Sequence, residues 1–470
     1  MLKGCFFLFF ILLSQYLISQ VTIEFKDISY AGDTLSIYTK SDYITGRDTL
    51  LVRQSVKADG SFFCVVPLEK TGRLSIPLYF FDGVLYAEPG KTYMLSVPRK
   101  TLRPVTAEIS PFFEPMPFYL YVDGPDKNEL NQLIFVFDSI YDGYVTTHSS
   151  VLLFEGYKSK VDTFFTQLDK LYNKVEQPYF NVYYRSKIAL LRYITAKRDV
   201  NYVVNSYFNN IPVSPENDAY MELFNNLFND YFQYYSLQKI GERLHDDIAR
   251  SKSPSDLRET LAMNPVMQND TVIELVILKG IHDAFFPEAQ FAQKRFPIKQ
   301  LYLTLDSVRY QNKYDFVKDI SDNIFYKAAV KCEIMGYGQI ELLDYSNNKV
   351  MLSTLKGNYV YMAFYDPRNY TCLKDMKLFV KKAEKYEKDI QFVIILVRCS
   401  FKEYIAFRDK YDLPVRVLYA APDNQIFRRF ALKAWPQYMI FDPYGIAVVR
   451  AAPSPGENIE KTLFRTLERK

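Results

Sequence analysis

The chain has 470 residues, of which 49% are hydrophobic and 24% charged, and a formal net charge of +4. That length exceeds one ordinary core and that apolar content excludes a disordered chain, so roughly two to four domains are expected. A small net charge with no long basic run excludes nucleic acid as a partner.

Residues 1–20 carry Lys3, an apolar block over 5–13 and a polar stretch ending at Ser19. The block is too short to span a bilayer, so the segment reads as a secretory signal peptide cleaved at Ser19–Gln20 or Gln20–Val21. Leu2-Lys3-Gly4-Cys5 has the look of a lipoprotein box, but nothing apolar precedes it. No later run reaches about 18 consecutive apolar residues, so no transmembrane span is expected after signal removal. The mature chain keeps Cys64, Cys332, Cys372 and Cys399. These permit three full pairings and do not make a disulfide-stapled scaffold. No paired CxxC spacing exists, so no structural metal is expected, and nothing calls for a cofactor.

Residues 21–105 alternate short β-rich runs with turn signals. Strands are expected at 22–25, 34–38, 49–53 and 61–66, with hairpin turns at Asp59-Gly60 and Pro89-Gly90, as in a small β-sandwich. Residues 106–335 change to helical periodicity, with helices expected at 128–137, 159–175, 179–196, 219–237, 254–262 and 270–284. With 39 Tyr and 37 Phe in the chain, these helices read as aromatic packing ahead of a groove for sugar or peptide. The pairs His245-Asp246-Asp247 and His282-Asp283 lie within helical segments, where adjacent side chains diverge, and read as solvated helix faces.

From residue 336 to 470 strands alternate with helices. Strands are expected at 339–343, 358–364, 391–397 and 415–419, with helices at 373–388, 401–411 and 424–431. A hairpin of 437–441 and 446–450 and a terminal helix from 457 close the region. The whole is a multidomain α+β chain: a β-sandwich module, a helical region and a C-terminal α/β domain.

Residues 56–63 and 85–95 resemble the β-module that precedes thioredoxin-like domains in exported proteins of Bacteroidota, and 179–185 and 217–224 resemble their helical middle. Residues 336–470 resemble a TlpA/ResA-type thioredoxin-like domain. The resemblance is carried by Leu355-Lys356-Gly357-Asn358-Tyr359-Val360, by Phe364, Cys372 and Lys374-Asp375-Met376, and by Ala434-Trp435-Pro436-Gln437-Tyr438 through Gly445. It implies a thioredoxin-like fold, a periplasmic or cell-envelope location and thiol–disulfide exchange, with Pro436 as a cis-proline facing the redox helix.

In that family the helix opens with Cys-x-x-Cys. Here the motif is degenerate and reads Asn369-Tyr370-Thr371-Cys372. Exchange needs an attacking thiolate, and asparagine has none, though it is a good helix N-cap. Cys372 then reads either as an inert core cysteine or as the sole motif thiol, with Cys399 as its possible disulfide partner. Trp435, Pro436 and Tyr370 are expected to line a substrate groove. Two functions follow: a redox-inactive module binding a peptide or protein partner, or an atypical monothiol oxidoreductase using Cys372.

Overall fold

The computed structural model describes residues 20–104, 114–124, 128–152, 158–195, 199–209, 212–250, 253–287, 296–332, 334–457 and 459–467. The expected signal peptide, apart from Gln20, lies outside the described residues. The chain falls into two compact units, Met1–Asn229 with Pro265–Ile273, and Asp230–Asn264 with Glu274–Lys470. The helical region expected as one segment is therefore divided. Its helices bury their apolar stripes in different cores.

The first unit opens with strands β1 (Gln20–Lys26), β2 (Thr34–Lys40), β3 (Asp48–Ser55), β4 (Ser61–Pro67), β5 (Gly72–Leu78), β6 (Phe81–Ala87), β7 (Thr92–Ser96), β8 (Met116–Tyr119) and β9 (Tyr121–Val122). They form two sheets, in the orders β4-β1-β7-β9 and β3-β2-β5-β6-β8. Strict alternation sends Val21, Ile23 and Phe25 from one sheet, and Leu35, Ile37 and Leu74 from the other, into a single core.

Asp59-Gly60 and Pro89-Gly90 are turns, but not hairpins. β3 and β4 lie in different sheets, as do β6 and β7, so each turn carries the chain across the core. Gly60 and Gly90 have φ of 78° and 82°. That conformation suits any tight reversal and does not say which sheet receives the next strand.

Helices α1 (Leu130–His148), α2 (Lys158–Tyr172), α3 (Pro178–Thr195), α4 (Val200–Tyr207) and α5 (Asp218–Leu227) complete the first unit. Several tyrosines on and around these helices are cross-links through their hydroxyls. Tyr119 and Tyr183 both donate to Asp138, at 2.6 and 2.9 Å, and Tyr86 donates to Asp218 at 2.8 Å. The buried Asn131 accepts from the Tyr86 N–H at 2.7 Å and donates to its carbonyl at 2.8 Å, tying α1 to β6. Aromatic packing accounts for these tyrosines.

In the second unit, α6 (Tyr231–Ser236), α7 (Leu244–Ala249), α8 (Pro254–Ala262), α9 (Asp270–Phe285, whose first residues belong to the first unit), α10 (Ile298–Gln311) and α11 (Asp315–Lys331) precede the sheet. The helix expected over 219–237 is two helices. Asp230 adopts φ 49°, a left-handed conformation that ends one helix and starts another.

The C-terminal part runs β10 (Glu341–Leu343), β11 (Lys349–Met351), β12 (Tyr359–Tyr365), α12 (Tyr370–Tyr386), β13 (Ile390–Leu396), α13 (Phe401–Lys410), β14 (Arg416–Tyr419), α14 (Ile426–Arg429), β15 (Gln437–Phe441), β16 (Ala447–Val449) and α15 (Ile459–Leu467). The sheet order is β11-β10-β14-β13-β12-β15-β16. β12, β13 and β14 are parallel, and β15 returns antiparallel beside β12. Alternate residues of β12 enter two cores. Tyr361, Ala363 and Tyr365 pack with Phe379 of α12 and Leu463 of α15, whereas Val360, Met362 and Phe364 pack with Phe430 and with Ala329 of α11.

One buried charge fastens this second core. Arg429 is 0% exposed, with Nη1 2.8 Å from Oδ1 of Asp306 on α10. Its guanidinium carbon lies 3.9 Å from the Phe325 ring centroid. Asp306 also accepts from the Gln339 N–H at 3.3 Å, and Tyr302, one turn earlier, donates to the Gly336 carbonyl at 2.8 Å.

Candidate functional site

β12 ends at Tyr365, and the chain turns through Asp366-Pro367-Arg368 into α12. Asp366 is buried, and its Oδ1 accepts from the Arg368 backbone N–H at 2.9 Å and from Arg368 Nε at 3.2 Å. Arg368 Nη2 also donates to the Arg398 carbonyl on the neighbouring loop. The loop after β12 is thus clamped to the loop after β13.

Asn369 caps α12, in extended backbone at φ −85° and ψ 122°. Its Oδ1 accepts from the N–H groups of Thr371 at 2.9 Å and Cys372 at 3.3 Å, two of the helix's otherwise unpaired donors. Its Nδ2 donates to the Trp435 carbonyl at 3.4 Å. The Trp435–Pro436 peptide bond is cis. Asn369 and Trp435, far apart in the chain, are therefore joined by a hydrogen bond. Trp435 is half-buried and packs edge-on to Phe427 at 6.1 Å. Tyr370 points outward and is 80% exposed.

Cys372 is 1% exposed and sits among Tyr365, Met376 and Tyr438. Burial is the main cause that pushes its thiol up to about 11. Cys399 lies in the same apolar cluster, 4% exposed, its thiol also raised to about 11 by burial. Both are free thiols. Ser400 and Glu403 form a capping box at the start of α13 and so hold the loop carrying Cys399.

Below the helix start runs a polar chain that the sequence pattern does not announce. Tyr365 Oη and Tyr438 Oη are 3.3 Å apart, and Tyr438 donates to Asp375 Oδ2 at 2.7 Å. These three residues belong to β12, β15 and α12, so only tertiary packing brings them together. Alternation on β12 and β15 was the one available signal, since it puts Tyr365 and Tyr438 on helix-facing positions.

The His282-Asp283 pair is not a solvated face, whereas His245 and Asp246 are partly exposed. His282 and Asp283 are each 9% exposed and Lys279 6%. Lys279 donates to Asp283 at 2.5 and 2.7 Å, and His282 Nδ1 lies 3.0 Å from Asp283 Oδ1. Lys327 Nζ lies 2.7 Å from His282 Nε2. A lysine can only donate, so Nε2 is the acceptor and the imidazole is neutral, with its proton on Nδ1. Adjacent helical side chains do diverge, but residues 279 and 283 are one turn apart and Lys327 arrives from α11. Asp247 is likewise buried, accepting from Thr260 Oγ1 at 2.6 Å. Among the described residues no cluster of His, Cys, Asp and Glu is arranged to hold a metal ion.

Burial and the neighbouring Lys327 lower the His282 pKa below its ordinary 6.5, against the opposing pull of Asp283. The unfolded chain therefore binds this proton more readily than the folded one. Stability is full above about pH 6.5 and declines as pH falls below it, until the folded pKa is reached. The loss associated with the lowered Asp283 carboxyl falls in a separate window, below its ordinary 3.8. Denaturation midpoints measured between pH 8 and 5 should fall more steeply for the natural chain than for His282→Gln; parallel curves would refute this.

No family model matches the chain, and none of the curated proteins matches it. Solved structures similar to it include thiol–disulfide oxidoreductases and a thioredoxin. The thioredoxin domain of a thiol-disulfide oxidoreductase from Bacteroides vulgatus is 16% identical, covering 28% of this chain and 95% of that one, with a TM-score of 0.26. A secreted disulfide oxidoreductase of Mycobacterium tuberculosis is 19% identical, covering 27% and 93%, with a TM-score of 0.24. An exposed lipoprotein thioredoxin from Streptococcus pneumoniae is 19% identical, covering 27% and 97%, with a TM-score of 0.24.

Proposed function

We propose that this chain is an exported TlpA/ResA-like protein whose thioredoxin-like domain has lost thiol–disulfide exchange and serves as a peptide- or protein-binding or scaffolding module of the cell envelope. The observation that carries the reading is Asn369. It stands at the helix start where the family's attacking cysteine would be, and its side chain is committed to the Thr371 and Cys372 N–H groups. A carboxamide can cap a helix but cannot attack a disulfide.

The monothiol alternative loses support from the surroundings of Cys372. A thiol 1% exposed and raised to about 11 is protonated and shielded at neutral pH. Attack requires an accessible thiolate. The exposed Tyr370 and the half-buried Trp435, joined to the helix start through Asn369, are where an extended partner would lie without the reaction.

Insulin reduction by dithiothreitol tests the proposal directly. The natural chain should give the rate of dithiothreitol alone, and iodoacetamide at pH 8 should leave Cys372 and Cys399 unmodified until the protein is denatured. Turnover that vanishes in Cys372→Ala would overturn the reading.

A further inference from the structure

The β4-β1-β7-β9 sheet has an outer face that its core-facing alternation leaves open. Val66, Ile23 and Leu95 go inward, so Phe63, Glu24, Met94 and Ser96 go outward. Register sets Glu24 opposite both Phe63 and Met94, forming a row across three strands. Ser96 is paired with Tyr121, so the Tyr121 side chain shares this face. Phe63, Met94 and Tyr121 are 53%, 54% and 57% exposed. A concavity of about 500 Å³ lies over this face, with Glu24, Phe63, Met94, Ser96 and Asp123 in its wall. That volume is in the range of small-ligand sites.

We infer that this face is a binding site for a neutral oligosaccharide. The backbone groups of β1 are already used by its neighbours on both sides, so recognition there must come from side chains. Among the described residues the Glu24 carboxylate takes no hydrogen bond or ion pair, and the Asp123 carboxylate is oriented by Ser96 Oγ at 2.9 Å. Carboxylates are acceptors and suit a ligand rich in hydroxyl donors. Phe63, in the wall of the concavity, and Tyr121, on the same face outside that wall, are exposed aromatic rings of the kind that pack on the C–H face of a sugar. They stand on the two outer strands, three inter-strand steps apart and two residues offset along them, or about 16 Å, a span for a short chain and not a single ring. Lys26 and Lys57 nearly balance Glu24, Asp27 and Asp123 around the concavity, which disfavours a strongly charged ligand.

Saturation-transfer NMR on the full chain with maltotriose, cellotriose and mannotriose tests this. At least one should bind, insensitively to added salt, and Phe63→Ala or Glu24→Gln should each weaken it about tenfold or more. Both positions are on the outer face, and circular dichroism of the variants should be unchanged. No transfer from any of the three sugars would overturn the inference, as would binding that survives both substitutions. Binding of a tyrosine-free acidic peptide in place of the sugars, abolished by salt, would overturn it in favour of a charged partner.

Discussion

Asn369→Cys should make the chain a measurable disulfide reductase, raising insulin reduction at least about tenfold over dithiothreitol alone. The new thiol would stand at the N-cap of a 17-residue helix. There the unpaired N–H groups and the macrodipole favour a thiolate and draw the pKa below the ordinary value of about 8.5. Cys372 follows three residues later and can resolve the mixed disulfide once its neighbour has attacked. The exchange is balanced: the substrate disulfide gains two electrons, the introduced thiol and Cys372 are oxidised to a disulfide, and dithiothreitol restores them. Loss of the asparagine cap costs about 1 kcal/mol, which a folded domain of this size tolerates. Rate against pH should show the titration of the introduced thiol well below the value near 11 of Cys372. A variant that forms the intramolecular disulfide and yet reduces no insulin would show that the missing nucleophile is not the sole loss.

Arg429→Ala should destabilise the second unit by about 3–5 kcal/mol, the usual result of breaking a buried ion pair from one side. Asp306 is 3% exposed and would keep its charge with only the Gln339 N–H to answer it. Asp306→Ala should cost a similar amount by stranding the guanidinium. The double variant Arg429→Met with Asp306→Leu removes both charges and should recover most of the loss, since an apolar pair of similar volume avoids the desolvation. Thermal denaturation of the three proteins distinguishes the cases. A single variant within about 1 kcal/mol of the natural chain would mean that water reaches this pair.

Legibility in the sequence followed the range of the interaction. β12 is an unbroken apolar run and β13 is one from Phe392 onward, after the exposed Gln391, because both faces of each are covered there, so composition alone marks them. Asn369 was readable as a cap because capping acts within three residues. The ion pair of Arg429 was not readable, because its partner is 123 positions earlier and nothing local sets this arginine apart from the exposed Arg428 nearby. The same holds for Lys279, His282, Asp283 and Lys327. A helical pattern places the first three, but the fourth comes from another helix and converts a surface reading into a buried network. The turns at Gly60 and Gly90 failed differently. Their backbone conformation was correct, and the destination of the following strand depended on the packing of both sheets.

The order of the two units along the chain bears on synthesis. Pro265–Ile273 belong to the first unit, although Asp230–Asn264 belong to the second. As the polypeptide emerges from the ribosome, the first unit lacks its last residues until position 273 is out, while the opening helices of the second are already exposed and still lack α10, the later helix on which α7 and α8 pack, which ends at Gln311. Domains generally fold as units in N-to-C order. Here α6, α7 and α8 spend that interval without the later helix that α7 and α8 pack against, and they are the segment a chaperone would be expected to guard.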